Sequence, residues 1–323
     1  MRIEAIKEAR ERIRPYTVRT PLVEAGLDLI RELKFPKRSL YLKCDNFQVT
    51  RSFKPRGAFN ALLTLDPQEA ARGVITRSSG NFAQALAYAS SVLGIDSTIV
   101  MPTNAPKVKR ESTQRYCQKV VYAGSTANEG DAEVERLARE RGMVKLSPFN
   151  HPAVIAGQGV AALEILEDLP DLELFLCPVG GGGLLSGCAA ALANLKPGIK
   201  IIAVEPEGGN DFFLSFQSKK KVSLSHIDTI ADGLRTPTVG DLNWPILLQY
   251  VHEVITVSDQ AIVAAMKLLY RAMGLVIEPS GAASLAALIG TERFRDQRCV
   301  CMLSGGNVDL TQFEDWIKGT LAD

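Results

Sequence analysis

Four consecutive glycines are the feature of the sequence that points most clearly to ligand binding. Gly180 to Gly183 follow the apolar, strand-like segment 172–179 and precede the helical segment 184–195. In open α/β sheets, ligands bind at the carboxyl ends of strands, and phosphates bind at helix N-termini. Glycines let successive backbone N–H groups converge on one anion without an intervening Cβ. A tight turn would need only one or two glycines, so we predict a phosphate-binding loop.

The residues around this loop do not match the common nucleotide-binding motifs. Gly182 and Gly187 have the spacing of a P-loop, but Cys188 occupies the position of its lysine. In a dinucleotide-binding fingerprint that starts at Gly181, Ser186 would occupy the third glycine position. A compact monophosphate therefore fits the loop better than a nucleotide.

A second candidate for chemistry is the lysine of segment 51–60, RSFKPRGAFN. Lys54 lies between Phe53 and Pro55, where a loop is expected to lead into a helix. Most lysines are solvated surface residues. A lysine whose amine is kept neutral by burial can instead form an imine with an aldehyde.

Segment 52–58, SFKPRGA, closely resembles the cofactor-attachment site of fold-type II pyridoxal 5′-phosphate (PLP) enzymes, the family of serine/threonine dehydratases and serine racemases. Four further motifs match that family in the same order along the chain: SSGN (78–81), GGGG (180–183), AVEP (203–206) and SGGN (304–307). The resemblance extends over nearly the whole chain. It implies an α/β fold of two doubly wound parallel-sheet domains, similar to the β subunit of tryptophan synthase.

The resemblance also implies a role for each motif. Lys54 would hold PLP covalently and, once displaced by the substrate amine, would act as the base at Cα. The substrate carboxylate would be bound by Ser78, Ser79, Gly80 and Asn81. The cofactor would be contacted by Phe53, Lys54, Asn81, Gly180, Gly181, Gly182, Gly183, Glu278 and Ser304, with Asn81 at its phenolic oxygen and Ser304 at its pyridine nitrogen. A hydroxyl at that nitrogen makes the cofactor a moderate electron sink, which favours elimination over a long-lived carbanion.

Ser79 bears on which reaction is catalysed. Threonine dehydratases of the family often carry alanine at this position, whereas members that resemble serine racemase carry serine. A serine hydroxyl can donate a proton to the face of Cα opposite the lysine, which gives Ser79 a catalytic role. The same serine could instead cap the following helix, as Asn81 also could.

Three residues depart from the family pattern. Phe82 replaces a histidine that is common after SSGN, and this loss of a polar group counts against a dianionic substrate such as 3-hydroxyaspartate. Phe149 occupies the position of an asparagine of serine racemase, as in the dehydratases. Arg51 replaces a frequent glycine before SFK.

A divalent-cation site is implied by the resemblance around AVEP. Its ligands would be Glu205, the carbonyl of Gly209 and Asp211, and two carboxylates six residues apart around a Gly-Gly turn suit Mg²⁺ or Ca²⁺. Both carboxylates could instead be ordinary surface groups.

Composition limits the class of protein. The 323 residues carry 37 Lys and Arg against 36 Asp and Glu. Binding to nucleic acids or anionic membranes depends on excess basic charge, so we predict neither partner. We expect no membrane-spanning segment, and no signal-peptide core is present, which predicts a cytoplasmic protein. Six cysteines without CxxC spacing and only three histidines predict free, buried thiols rather than a zinc site.

The elements that must position these residues alternate between strands and helices. Strands are predicted at 39–44, 73–78, 97–102, 119–124, 172–179, 200–206, 253–258 and 298–304. Helices are predicted at 81–94, 127–142, 154–169, 184–195 and 259–274, the last with Asp259 as its N-cap and Gly274 as its stop. A chain longer than one typical domain, with this alternation, predicts two parallel-sheet domains.

We expect residues 1–70 and 151–323 to form a large PLP-binding domain, and residues 71–150 a small mobile domain that closes over the substrate. Only 16 residues follow Asn307, so no C-terminal effector domain is expected. The predicted function is elimination of water and ammonia from L-threonine or L-serine by a homodimeric lyase. The alternatives are serine racemase, 3-hydroxyaspartate dehydratase, a β-replacement enzyme and a PLP-binding regulatory protein.

Overall fold

The computed structural model of the chain describes residues 1–105, 107–117, 119–125 and 127–319. The helices in these ranges are α1 (Ile3–Ile13), α2 (Leu27–Leu33), α3 (Lys54–Leu63), α4 (Pro67–Arg72), α5 (Asn81–Leu93), α6 (Lys107–Gln114), α7 (Ala127–Arg141), α8 (Pro152–Asp168), α9 (Gly183–Leu195), α10 (Asp211–Ser218), α11 (Asn243–Tyr250), α12 (Asp259–Met273), α13 (Pro279–Ala286) and α14 (Leu310–Lys318). The strands are β1 (Leu22–Glu24), β2 (Leu40–Cys44), β3 (Val74–Arg77), β4 (Ser97–Met101), β5 (Val120–Tyr122), β6 (Val144–Lys145), β7 (Leu174–Pro178), β8 (Lys200–Pro206), β9 (Glu253–Val257) and β10 (Cys299–Leu303).

The strands form two sheets. The larger has the order β1-β2-β10-β7-β8-β9, and the smaller has the order β5-β4-β3-β6. All neighbours are parallel except β1, which pairs antiparallel with β2 at the edge of the larger sheet. Strands β4, β7 and β10 are buried along their whole length, as parallel strands covered by helices on both faces must be. The predicted α/β class is confirmed.

Alternate side chains of the larger sheet enter two different cores. Phe175 and Cys177 of β7 belong to the core that includes side chains of α1, α3, α8 and α9. Cys299 and Cys301 of β10 enter the opposite core, with side chains of α2, α12 and α13, because residues two apart share a face. The six cysteines are all free and buried, as predicted.

Most predicted elements are confirmed, with three differences. All eight predicted strands are present, but β1 and β6 are additional strands of three and two residues, too short to produce a periodic pattern. Prediction of Asp259 as the N-cap of α12 was wrong. The cap is Ser258, whose hydroxyl accepts from the N–H of Ala261, while the Asp259 carboxylate accepts from Thr229 Oγ1. Gly274 ends α12 in the left-handed conformation, as predicted.

The strands of the smaller sheet lie between residues 74 and 145, and those of the larger sheet lie before and after this stretch. The division at residues 70 and 150, and the mobility of the smaller part, stay predictions. Within the described ranges, no helix has both the length and the apolar character needed to cross a membrane.

A buried network of charged side chains connects the start of α3 to β2 and α8. Arg56 and Lys43 are fully buried. Arg56 donates to Asp45 Oδ2 at 2.9 Å and to Glu164 Oε1 at 2.7 Å, and Lys43 Nζ donates to Glu164 Oε2 at 2.6 Å. Thr20 contributes its hydroxyl to Asp45 and its carbonyl to Lys43. Two cations and two carboxylates thus offset each other away from water, as buried charges require.

The network also affects the charge state of Asp45. Burial alone would raise the pKa of Asp45, but the charge and hydrogen bonds of Arg56 hold it below the ordinary value, with a further contribution from Lys43. Both carboxyl oxygens of Asp45 accept hydrogen bonds from Arg56. The guanidinium and the carboxylate therefore stay ionised together at neutral pH.

Removal of Arg56 should destabilise the protein, because its carboxylate partners are buried. We expect Arg56→Ala to lower the free energy of unfolding by about 3–5 kcal/mol, since it leaves Asp45 and Glu164 buried without their main counter-charge. Urea unfolding at pH 7 measures this loss. The control is Arg136→Ala, which removes an exposed arginine paired with Glu133 and Glu140 on α7 and should barely move the midpoint. Equal shifts in the two variants would contradict the prediction.

Candidate active site

The carboxyl ends of β10, β7 and β3 open onto one cleft of about 750 Å³. The predicted residues that line it are Phe53, Lys54, Ser78, Ser79, Gly80, Asn81, Gly180, Gly181, Gly182, Gly183, Glu278 and Ser304. Strands β10 and β7 are neighbours, so the segments that follow them emerge side by side. The cleft brings these predicted residues together, whereas the carboxylates near residue 205 lie outside its lining. Their roles stay predictions.

Lys54 is the first residue of α3, and its side chain extends into the cleft between aromatic rings. Its Nζ lies 4.8 Å from the ring centroid of Phe53 and 5.8 Å from that of Phe82, and it donates to the carbonyl of Pro148 at 3.1 Å. Burial lowers the pKa of Lys54 to about 8, against an opposing effect of the Glu278 carboxylate. A substantial fraction of this lysine is therefore neutral and nucleophilic near physiological pH.

Asn81 is held by residues that follow β10 and precede α13. Its Nδ2 donates to Glu278 Oε1 at 2.7 Å, and its Oδ1 accepts from Asn307 Nδ2 at 2.9 Å. The backbone N–H of Asn307 donates to the other carboxylate oxygen of Glu278. These bonds join the end of the smaller sheet to the carboxyl edge of the larger one, and they fix the orientation of the Asn81 amide.

The glycine loop has the geometry of an anion site. In the described chain, no group accepts a hydrogen bond from the backbone N–H of Gly180, Gly181 or Gly182. Gly182 has φ of +90°, and a Cβ added at Gly181 would lie 2.3 Å from a ring carbon of Phe149. The carbonyl of Gly181, in contrast, is bound by Asn243 Nδ2 at 2.8 Å. At the start of α9, the loop thus leaves backbone N–H groups available to an anion, while the carbonyl of Gly181 is held by the protein.

Ser304 follows β10 directly. Its carbonyl accepts from the N–H of Phe53 at 3.0 Å, which ties it to the residue before Lys54. Its hydroxyl lines the cleft and has no hydrogen-bond partner within the described ranges. The side chain is therefore available to a ligand atom while its backbone is fixed.

Segment 78–81 forms the turn between β3 and α5. Gly80 is the N-cap residue, and no side chain caps this helix in the part of the chain described. Ser78 Oγ accepts from the N–H of Gly80. The Ser79 hydroxyl makes no hydrogen bond within the described residues and lines the cleft. The interpretation of Ser79 or Asn81 as a helix cap was wrong, because the Asn81 side chain is turned instead toward Glu278 and Asn307.

The three departures from the family pattern have structural explanations. Phe82 is 1% exposed and packs in the core beside Lys54. Phe149 lies flat against the glycine loop, and its carbonyl accepts from Asn243. Arg51 has φ of +58°, the left-handed conformation that glycine adopts most readily, which accounts for the frequent glycine at this position.

Glu205 and Asp211 are both fully buried, not surface groups. Glu205 accepts from the N–H groups of Phe212 and Phe213, whereas neither carboxylate oxygen of Asp211 accepts a hydrogen bond with ordinary geometry. Burial raises the pKa of Asp211 to about 7, and burial together with the Asp211 charge raises that of Glu205. Two adjacent buried carboxylates without a counter-charge make a suitable ligand set for a cation. No three His, Cys, Asp or Glu side chains converge on one point in the described residues, so a cation here would need backbone or water ligands.

Comparison with known proteins identifies the family. The family model described as "Pyridoxal-phosphate dependent enzyme" matches residues 13–305. The chain belongs to this family. It is 41% identical to serine racemase of Arabidopsis thaliana over 98% of this chain and 96% of the relative. It is 39% identical to L-threo-3-hydroxyaspartate ammonia-lyase of Pseudomonas sp, over 97% of each chain.

A solved structure gives the same result. Serine racemase of maize superposes with a TM-score of 0.92 at 38% identity, covering 97% of this chain and 96% of that one. The predicted fold-type II class and the family are thus confirmed. The family contains both lyases and racemases, so membership leaves the reaction open.

The residues in the cleft fit PLP, with a phosphate at the unpaired N–H groups of the glycine loop and an aldehyde at Lys54. Some neighbours were not anticipated from the sequence. Asn307 donates to the side chain of Asn81, and the carbonyl of Pro148 accepts a hydrogen bond from Lys54. The hydroxyl of Thr236 is buried without a partner in the described chain, 3.2 Å from where a Cβ on Gly180 would lie. Asn307 belongs to the SGGN motif and could have been found there, whereas Pro148 and Thr236 carry no local signal.

The pKa of Lys54 predicts how readily the cofactor attaches. We expect the rate at which added PLP becomes covalently bound to cofactor-free protein to rise with a midpoint near pH 8, because the neutral amine forms about there instead of near 10.5. Borohydride trapping and mass spectrometry measure the rate, and N-acetyl-lysine measured in parallel corrects for titration of PLP itself. In Glu278→Gln, loss of the carboxylate that raises the pKa should move the midpoint to lower pH. A midpoint near 10.5 would show that the amine is not buried.

Proposed function

We propose that this protein is a PLP-dependent ammonia-lyase that converts small 3-hydroxy amino acids, L-serine and L-threonine, to 2-oxo acids. The observation that carries the proposal is the amine of Lys54, whose pKa is lowered to about 8, in one cleft with the glycine loop and Ser304. Bound PLP supplies the electron withdrawal that makes a Cα proton acidic. The chain itself must supply a base, orient the substrate and leave the ring nitrogen without a charged partner.

Each of these needs has a candidate residue. A neutral Lys54 amine can accept the Cα proton, and the rings of Phe53 and Phe82 restrict water around it. At the N-terminus of α5, no group in the described chain accepts from the backbone N–H of Ser79 or Asn81, so both can bind a carboxylate. Ser304 offers a neutral hydroxyl. In the overall reaction, the substrate loses the Cα proton and the β-hydroxyl as water, and the resulting enamine takes up water and releases ammonia.

Racemisation of serine is the second candidate, and Ser79 favours it. Its hydroxyl caps no helix in the described chain and lines the same cleft as Lys54. Lys54 and Ser79 acting on opposite faces of Cα would exchange the proton without loss of the β-hydroxyl. The identities of 41% to a serine racemase and 39% to a hydroxyaspartate ammonia-lyase are compatible with either reaction.

A substrate panel separates the two candidates. D- and L-serine, L-threonine and 3-hydroxyaspartate are incubated with the PLP-loaded protein, and 2-oxo acids and enantiomers are quantified together. We expect 2-oxo acid to form from L-serine faster than D-serine appears, and Lys54→Ala to abolish both products. Ser79→Ala should remove only the interconversion of enantiomers. If wild-type protein interconverts serine enantiomers faster than it makes pyruvate, racemase replaces lyase as the function.

We also propose that Glu205, Gly209 and Asp211 bind Mg²⁺ or Ca²⁺. The support is the pair of buried carboxylates, together with Asp211 oxygens that accept no hydrogen bond of ordinary geometry. The carbonyl of Gly209 also accepts no hydrogen bond within the described residues, which leaves it available as a third oxygen ligand.

Chelation tests this cation site. A bound cation would offset two buried charges, so we expect EDTA to lower the melting temperature and Mg²⁺ or Ca²⁺ to restore it. Asp211→Asn should abolish the response to added cation. The control is Asp241→Asn, which changes an exposed carboxylate paired with Lys221 and should leave the response intact. A melting temperature indifferent to both EDTA and cation would refute the site.

A further inference from the structure

The four glycines that leave backbone N–H groups free for an anion also allow the loop to present carbonyl oxygens to it. Glycine has no Cβ to restrict its backbone, so a peptide between two glycines can rotate at little cost. The peptide that joins Gly181 to Gly182 is trans, and its carbonyl and N–H therefore point in opposite directions. Rotation of this one peptide would replace a donor with an acceptor and repel a phosphate. Another part of the protein must hold the peptide in one orientation.

Asn243 holds this peptide from behind the loop. It is the first residue of α11, is 0% exposed and lies outside the lining of the cleft. Its Nδ2 donates to the carbonyl of Gly181 at 2.8 Å, and the N–H of Gly240 donates to the same carbonyl at 3.1 Å. The carbonyl is thus held on the side away from the cleft. The N–H of Gly182 points the other way, and no group in the described chain accepts a hydrogen bond from it.

The second hydrogen of the same amide is also used. Nδ2 donates to the carbonyl of Phe149 at 3.0 Å, and the Phe149 ring packs so closely that a Cβ at Gly181 would lie 2.3 Å from a ring carbon. A Cβ at Gly182 would in turn lie 3.0 Å from the Cβ of Asn243. The loop is therefore packed against both side chains, and one amide bonds to the loop and to the residue that covers it.

The Asn243 side chain has an unsatisfied atom, which indicates why an amide occupies this position. Its Oδ1 is buried and accepts no hydrogen bond within the described ranges. A buried unpaired oxygen lowers stability, and a leucine of similar size would avoid that loss. Turning the amide over would place Oδ1 against two carbonyl oxygens, so only Nδ2 can face them. The amide thus supplies two donors although its oxygen stays unpaired, which points to a role in holding the loop.

We propose that Asn243 is a positioning residue for the phosphate of the cofactor, because it keeps the N–H of Gly182 directed into the cleft. The inference rests on PLP binding at the glycine loop, as in the proposed function, but not on the choice between lyase and racemase. Asn243 does not touch the cofactor and takes no part in proton transfer.

Binding of PLP, pyridoxal and inorganic phosphate to the cofactor-free protein tests this role. Pyridoxal lacks the phosphate but carries the same aldehyde, so the ratio of the two dissociation constants isolates the phosphate. We expect Asn243→Ala to lower the preference for PLP over pyridoxal about tenfold, since one of two hydrogen bonds to the Gly181 carbonyl is lost. Inorganic phosphate should weaken by a similar factor, whereas the affinity for pyridoxal should change less than about twofold.

Two further variants control for loss of stability. Asn60→Ala removes another buried amide, which donates to the carbonyl of Ala153 at 2.7 Å outside the cleft lining. It should lower the melting temperature and leave the preference for PLP unchanged. Asn243→Ser provides one hydroxyl donor near the same carbonyls, so it should keep more of the preference than Asn243→Ala. It also takes the place of Asn243→Ala in the comparison if that variant does not fold.

The outcomes distinguish this inference from the proposed function. A wild-type preference for PLP in the Asn243 variants would overturn the role of the amide. Equal losses of PLP and pyridoxal binding, or the same loss of preference in Asn60→Ala, would also overturn it, because the effect would then be a general loss of stability. The measurements need no substrate, so they decide the role of Asn243 whether or not the protein eliminates water from serine or threonine.

Discussion

The enclosure of two cations with two carboxylates beneath the start of α3 is the interaction on which the active site depends. Arg56 lies two residues after Lys54 and is bound from one side by Asp45, which follows β2, and from the other by Glu164 of α8. The backbone of Arg56 also approaches Gly157 so closely that a Cβ there would lie 2.3 Å from its carbonyl oxygen. The turn that carries Lys54 is therefore fixed by charge and by close packing together.

The positions of the active-site loops depend secondly on the edge formed by the carboxyl ends of the parallel strands. Ser304 and the glycine loop emerge from neighbouring strands of the larger sheet, so their spacing follows from the parallel register of β10 and β7. The turn 78–81 comes from the other sheet and needs a separate connection. Glu278 and Asn307 provide it through the amide of Asn81. Because those bonds span two sheets, a small shift between the sheets would alter the position of Asn81 and the shape of the cleft together.

Sequence patterns predicted the strands and the candidate binding residues whose signal lies in the local sequence. Apolar, β-branched runs located eight strands, and Gly180 to Gly183 and Lys54 indicated a phosphate and an imine-forming amine. They could not locate β1 and β6, which are three and two residues long and are recognised only by their pairing with β2 and β3. The sequence also favoured Asp259 over Ser258 as the N-cap of α12, since both residue types suit that position. In the structure, the Asp259 carboxylate instead accepts hydrogen bonds from Thr229 and Ile230. Burial of Glu205 and Asp211 likewise emerges only from tertiary packing.

Two local conformational costs lie at this cleft, and the contacts that offset them are long-range. Arg51 adopts a left-handed conformation that costs about 1 kcal/mol for a residue other than glycine. Its N–H donates to Gln48 and its carbonyl accepts from Gly306, next to the segment that binds Asn81. Gly130 weakens α7 but admits the arm of Arg77. Both residues contradict local preference, and in both cases the contact that explains the choice lies at the cleft. At these two positions, the disagreement between a residue type and its local conformation is explained by tertiary contacts rather than by the neighbouring sequence.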